Sequence, residues 1–300
     1  MPNPFVFVAD LWLRRYRRPE PRAEAEAGRG LAAVVITGAS EGIGLALAHR
    51  FAASGATVVM IARHADRLEA AARKVREQHG GGPGKGNAIA LALDVTREDA
   101  AQRIDQALAE RGLFADVVVN NAGIGLSGAF VTHDVAAMHR LIDLNITALS
   151  VLTRHYLPGM LARGRGGIIN IASLAGFAPG PYQAIYYASK AFVISLTRAV
   201  AHEVRGQGVR VCVVVPGPVD TRFHERMGAQ QSIYRQFMPG ASAESVARSA
   251  YRGFRLGLGV VYPGIVTPVV ALMMRLLPGA ILFPVIAWLL RPGSDTDAGR

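Results

Sequence analysis

The chain has 300 residues, 51% of them apolar and 18% charged, which excludes a disordered polymer and suffices for one large α/β domain or two small ones. Its net charge of +11 and pI near 10.5 suggest an anionic partner, yet only Lys74, Lys85 and Lys190 are lysines, and just one basic run, Arg14–Arg18 around Tyr16, is interleaved with an aromatic, so no nucleic-acid partner is expected. Cys212 stands alone inside the apolar run Val209–Val215, which excludes an internal disulfide framework and a cysteine-based metal site and fits a reducing, cytoplasmic setting.

Residues 1–30 read as a surface arm and linker. An apolar stretch from Phe5 to Leu13 precedes the arginines, and Pro19–Gly30 is rich in Pro, Glu and Ala. Export signals place positive charge first, so the order here, with Asp10 inside the apolar piece, argues against one. From Leu31 a repeating pattern begins. Apolar runs rich in β-branched residues predict strands at Leu31–Thr37, Thr57–Ile61, Ala88–Leu93, Asp116–Asn120, Gly167–Ile171, Val209–Val215 and Gly259–Tyr262. Helical periodicity fills the intervals at Ile43–Ser54, Ala65–Gln78, Arg97–Arg111, Val135–Ala162, Gln183–Arg205 and Ala243–Leu256, and Gly80–Gly86 reads as a connector. Unbroken apolar strands alternating with helices predict an α/β fold: a doubly wound, Rossmann-type parallel sheet with helices on both faces.

The first strand runs into Thr37-Gly38-Ala39-Ser40-Glu41-Gly42-Ile43-Gly44 and then an apolar helix. Glycines permit a tight turn and a close backbone approach, and free N–H groups at a helix start attract a pyrophosphate. No Gly-Lys-Ser/Thr follows, so a P-loop is not expected. The second strand ends Ile61-Ala62-Arg63-His64, where an arginine suits a 2′-phosphate and an acid would suit a 2′-hydroxyl; Arg63 therefore points to NADP(H) over NAD(H), with Glu41 weighing the other way. Asp94, followed by Val95, closes the third strand, where its carboxylate can accept the adenine amino group or simply form a turn. Asn120-Asn121-Ala122-Gly123 ends the fourth strand, with side-chain amides to tie neighbouring strands and small residues to leave room for a ligand.

Tyr186 and Lys190 are four apart in a predicted helix and share a face. A phenol near pKa ~10 needs a positive neighbour to act at neutral pH, and Lys190 is placed to be one. The pair alone is a common helix pattern. Ser173, thirteen residues upstream at the end of the fifth strand, makes it a catalytic candidate, since its hydroxyl can hold a carbonyl oxygen while Tyr186 gives a proton. Tyr187 has no lysine at its own fourth position, and Tyr182 is expected to line the substrate cleft.

The glycine turn, Asn120–Gly123, Ser173, Tyr186-x-x-x-Lys190 and Pro216-Gly217 occur together in the order and spacing of the short-chain dehydrogenases/reductases, which this chain resembles from roughly Leu31 to Gly264. The resemblance implies one doubly wound domain of seven parallel strands, and a dimer or tetramer built through two long helices. It implies a nicotinamide cofactor held by Gly38, Ser40, Glu41, Gly42, Ile43, Gly44, Arg63, Asp94, Val95, Asn121, Ala122, Gly123, Tyr186 and Lys190. It also implies that Pro216, Gly217, Val219 and Thr221 pack near the nicotinamide amide, and that Asn145 is a fourth catalytic member, holding a water in a proton relay beyond Lys190.

The organisation expected is an arm at 1–30, a catalytic domain at 31–264 and an apolar extension at 265–300. From Ile265 to Leu290 the only charge is Arg275. Pro278 and Pro284 interrupt the run, and a span needs roughly twenty apolar residues, so two short interfacial helices are expected rather than one crossing. A lid over the site or a dimer contact is the competing reading of this tail. The function expected is NADP(H)-dependent reduction of a ketone, with a lipophilic substrate (3-oxoacyl, sphingoid or steroid-like) suggested by the tail. An alcohol dehydrogenase running in the oxidising direction and a non-catalytic, membrane-associated scaffold or sensor are the alternatives.

Overall fold

The computed structural model describes residues 30–80, 86–229 and 240–291, so the arm up to residue 29, the centre of the glycine connector, residues 230–239 and the last nine residues lie outside it. Runs such as Ala33–Ile36, Val58–Ile61 and Val117–Val119 are buried on both faces, which is what a sheet covered by two helical layers requires. They belong to seven strands: β1 (Leu31–Thr37), β2 (Thr57–Ala62), β3 (Asn87–Ala92), β4 (Leu113–Asn120), β5 (Gly166–Ile171), β6 (Val209–Val214) and β7 (Val260–Val261). All pair in parallel in the order β3-β2-β1-β4-β5-β6-β7. The chain winds outward from β1 in one direction and from β4 in the other, which opens a crevice above their carboxyl ends.

Among the described residues ten α-helices accompany these strands: α1 (Gly42–Ala52), α2 (Ala65–His79), α3 (Ala100–Ala109), α4 (Val135–Ile142), α5 (Leu149–Arg163), α6 (Ala184–Glu203), α7 (Phe223–Arg226), α8 (Ala243–Arg255), α9 (Val266–Leu276) and α10 (Gly279–Leu290). Successive strand residues point to opposite faces. Ile36, Met60 and Val119 meet Leu47 and Phe51 of α1 and Phe254 of α8 on one side. Val35, Val59 and Val118 meet Ile104 of α3 and Leu152 and Met160 of α5 on the other.

Three elements differ by more than two residues from the sequence pattern. β4 begins at Leu113, three residues early, because Leu31–Ala33 pair with Leu113–Ala115 before a register shift at Ala33/Val34. The helix expected from Arg97 starts at Ala100, because Asp94 Oδ1 takes the Thr96 N–H (3.0 Å) and hydroxyl (2.8 Å) in a side-chain turn. The helix expected at Val135–Ala162 is broken by a wide π turn, Asp143–Ala148, which carries Asn145. The whole 135–163 run is long and apolar enough to cross a membrane by length and composition, yet Leu149, Leu152 and Met160 pack it onto the sheet.

Candidate active site

The glycine turn follows directly from β1. Gly38 (φ 64°) and Gly42 (φ 57°) occupy left-handed backbone that side chains disfavour. Asn121 clamps the turn: its Nδ2 donates to the carbonyls of Thr37 (2.9 Å) and Gly38 (3.1 Å), while the N–H groups of Asn121 and Ala122 donate to Thr37 Oγ1 at 3.0 Å. Glu41, the N-cap of α1, makes no side-chain cap, so the first-turn N–H groups are left for a ligand. Its carboxylate instead pairs with the Arg226 guanidinium of α7, with Nη2 to Oε2 at 2.9 Å. That ion pair joins the cofactor turn to the 216–229 loop across the crevice.

One wall of the crevice carries Arg63 and His64 at the end of β2 and Arg67 in the first turn of α2; Asp94, Val95 and Thr96 follow β3 beside them. Asp94 forms the turn and also lines the crevice.

Tyr186 and Lys190 lie one turn apart on α6, and both are buried. Lys190 Nζ donates to the Ile171 carbonyl at the end of β5 (3.0 Å) and sits 5.8 Å from the centre of the Tyr186 ring. The side chain is only 6% exposed, and burial pushes its ammonium down to about 8. Ser173 follows β5 in extended backbone, where its Oγ accepts the Ala175 N–H at 3.2 Å. Phe223 of α7 packs on Tyr186, ring centres 5.5 Å apart.

Asn145 is 1% exposed and fully engaged. Its Oδ1 accepts from Ile124 N (2.9 Å), and its Nδ2 donates to Ile124 O (2.8 Å) and Ser189 Oγ (3.1 Å); that hydroxyl donates to the Tyr186 carbonyl (2.7 Å). The π turn thus fixes both the strand-end loop and α6. A Cβ at Gly123 would lie 3.2 Å from Asn145 Oδ1 and 3.6 Å from Lys190 Nζ, so glycine keeps the space between them open. Behind it, Asn120 Nδ2 donates to Asn170 Oδ1 (2.8 Å) and Thr153 Oγ1 (3.1 Å), and Asn170 Nδ2 to Thr197 Oγ1 (2.9 Å), tying β4 and β5 to α5 and α6.

A single cavity of about 650 Å³ collects these parts. Gly38, Ser40, Glu41, Gly42, Ile43, Arg63, Asp94, Val95 and Asn121–Gly123 line it along the crevice; Ser173, Tyr186, Lys190, Pro216, Gly217, Val219 and Thr221 line its far end. Two expected residues stand behind the wall. Gly44 is one: a Cβ there would press into the Gly38 carbonyl, so its glycine serves helix-to-turn packing. Asn145 is the other, held back by its bonds to Ile124 and Ser189.

Tyr182 does not line the cavity; it sits in the turn before α6 with φ 64°, its carbonyl accepting the Gly128 N–H at 2.8 Å. Tyr187 takes that place, about 100° round the helix from Tyr186, packed against the cluster of Leu282, Ile286 and Leu290. Gln183 was also missed: it is buried, lines the cavity, and its Nε2 has no hydrogen-bond partner among the described residues. A polar side chain three residues before Tyr186 was the available signal. Met274, Ile286 and Leu290 of the extension complete the apolar end.

The family model described as short chain dehydrogenase matches residues 32–232, a span that holds the glycine turn, Ser173, Tyr186, Lys190 and Thr221. The chain belongs to the short-chain dehydrogenase family. Members of this family bind a nicotinamide cofactor and are oxidoreductases of carbonyl and alcohol groups. A ketoacyl reductase of Nostoc sp. is 37% identical over 186 residues, 62% of this chain and 63% of that protein. A very-long-chain 3-oxoacyl-CoA reductase of Anas platyrhynchos is 39% identical over 204 residues, 66% of this chain and 64% of that protein. The matched region thus spans just under two thirds of the length of these two relatives. Among solved structures, a short-chain dehydrogenase of Sphingobium yanoikuyae in complex with NADPH superposes with a TM-score of 0.69 at 31% identity, covering 90% of this chain and 99% of that one.

Proposed function

We propose that this short-chain dehydrogenase uses NADPH to reduce a lipophilic ketone of the 3-oxoacyl type, or a sphingoid or steroid-like ketone of similar bulk, to its alcohol. The observation that carries this reading is the single cavity in which Ser173, Tyr186 and Lys190 adjoin the glycine turn at one end and an apolar wall of Leu174, Met227, Met274 and Ile286 at the other. The bound cofactor supplies hydride. Ser173 Oγ holds the carbonyl oxygen, and the Tyr186 phenol gives it a proton. The Lys190 ammonium stabilises the phenolate left behind, and protons return to Tyr186 along the path kept open by Gly123 between Lys190 and Asn145.

Arg63 and Arg67 supply two guanidinium groups for a 2′-phosphate, and Arg226 neutralises Glu41, whose charge would otherwise oppose one. The NADPH complex of the Sphingobium protein supports the same cofactor. Gln183 favours a substrate with a second oxygen near the ketone, as in a 3-oxoacyl group, because its buried amide then gains a partner. The proposed assembly is a dimer or tetramer through α5 and α6, and the proposed setting is the cytoplasm, at a membrane surface. Only the inner side of the extension 265–291, through Met274, Ile286 and Leu290, contributes to the substrate end of the site.

The test is oxidation of NADPH and NADH by the purified full chain across a panel of ketones. Preference for NADPH and for long-chain or polycyclic ketones is expected, with loss of turnover by at least ~100-fold in Tyr186→Phe. Preference for NADH, action on small polar carbonyls alone, or near-normal turnover in the variant would overturn the reading.

A further inference from the structure

Helices α9 and α10 are apolar all the way round; from Ile265 to Leu290 only Arg275 is charged. A helix with no polar face is stable in water only when its whole circumference is covered. Here the chain covers one side. Thr267, Val270, Ala271 and Met274, at i, i+3, i+4 and i+7, turn inward on α9, and Leu282, Ile286 and Leu290 do so on α10. The opposite sides are exposed: Leu276 is 73% exposed, Val266 65% and Leu272 56%, joined by Val269 and Ile281. Contiguous apolar surface of this kind marks an interaction face.

We infer that this outer face beds into the interfacial layer of an anionic phospholipid bilayer, so that α9 and α10 form a partition with lipid on one side and the substrate cavity on the other, and a bilayer-dissolved ketone enters through it. The entry route rests on the lipophilic-ketone reading above; the docking does not. Helices of 11 and 12 residues are about 17 and 18 Å long, well short of a ~30 Å hydrocarbon core, so they lie along the surface instead of crossing it. Trp288 has the amphipathic ring that favours the headgroup boundary.

Charge decides between a bilayer and a second copy of the chain. Arg275 stacks over the Phe177 ring at 4.7 Å, at the edge of the face, and Arg291 follows α10; no carboxylate lies between residues 265 and 291. Two such faces brought together set arginines against arginines, with no carboxylate on either face among the described residues. Anionic headgroups pair with both, and the chain's +11 charge adds to the attraction.

The test compares the full chain with the triple variant Val269→Asn, Leu272→Asn, Leu276→Asn, whose positions face away from the cavity. Co-sedimentation uses vesicles of phosphatidylcholine with and without phosphatidylglycerol. Expected is binding to the anionic vesicles, weakened at least tenfold in the variant and weakened by salt. The variant should keep turnover on a short, water-soluble 3-oxo ester and lose most of it on a long-chain one dissolved in the vesicles. No binding by the full chain, or equal binding by the variant, overturns the inference. So does a variant whose main change is dissociation of a dimer in analytical ultracentrifugation, which would make the face a self-contact. Vesicle binding without reduction of either ester leaves the docking standing and refutes the catalytic reading instead.

Discussion

Consider Lys190→Met in the cofactor-free protein. Methionine keeps the length and apolar stem of lysine and removes the buried charge. Burial holds the Lys190 ammonium at about 8 against an ordinary 10.5, so at neutral pH the folded chain carries a penalty of about 3 kcal/mol for keeping it charged. The bond from Nζ to the Ile171 carbonyl, which methionine cannot make, contributes about 1 kcal/mol in the other direction. The variant should therefore be more stable than the parent by about 2 kcal/mol at pH 7. The sign of the pH dependence follows from the lowered value. Below about 8 both states of the parent are protonated, and the penalty is fully present. Between about 8 and 10.5 the unfolded chain holds the proton and the folded chain does not, so the parent gains stability as pH rises and the gap closes. Urea unfolding of both proteins at about pH 7 and about pH 10 reads this directly, with reductase assays on the same preparations expected to show turnover lost by ~100-fold or more. A variant less stable than the parent at pH 7, or a gap that does not change with pH, would refute the reasoning.

Gly44→Ala puts a methyl group 2.5 Å from Asn121 Nδ2 and into the Gly38 carbonyl, so it should cost about 1–3 kcal/mol in urea unfolding and abolish NADPH binding in calorimetry; a variant that binds normally contradicts the packing role given to this glycine. Asn145→Ala removes three hydrogen bonds and should cost about 3 kcal/mol of stability, together with turnover; a loss of turnover with unchanged unfolding would make the residue a relay member alone. Arg226→Ala uncovers the Glu41 carboxylate, and calorimetry should show NADPH affinity falling about fivefold with NADH little changed, restored by adding Glu41→Gln. Equal losses for the two cofactors would assign Arg226 to loop closure instead of charge masking.

The strands were legible because burial on both faces demands unbroken runs of Val, Ile and Ala, and those runs stand out between amphipathic helices. That Ser173, Tyr186 and Lys190 share one cavity was legible because two lie on one helix face and the third follows the strand before it. What the sequence hid is relational. Arg226 meets Glu41 across 185 positions, and no local pattern announces the pairing. Whether Tyr182 or Tyr187 reaches the cavity depends on a left-handed residue at the helix entrance, which no spacing rule supplies. The tail could be read as membrane-seeking or as a lid because apolar residues occupy both sides of its helices, and only the folded chain separates the side lining the cavity from the side left open. The packing that requires glycine at position 44 is likewise hidden, because it is a contact between two pieces of backbone.

The π turn at Asp143–Ala148 also acts as a phase correction. Leu141 before it and Met160 after it are both fully buried, nineteen positions apart. At ~100° per residue, an unbroken α-helix of that length would end about 100° out of step, swinging Met160 toward the sheet edge if Leu141 stayed in place. The wider turn absorbs one residue and so changes by about 100° the rotation at which α5 leaves α4, with Leu141 packed in the cluster of Tyr186 and Met227 and Met160 in that of Val118 and Ile168. The same residue that bows the backbone to carry Asn145 toward Ile124 therefore sets the rotational register of α5 on the sheet. Deleting or inserting a residue in this turn cannot move the asparagine alone; it must also rotate a core helix. Within this segment, chain length is as strongly constrained as side-chain identity.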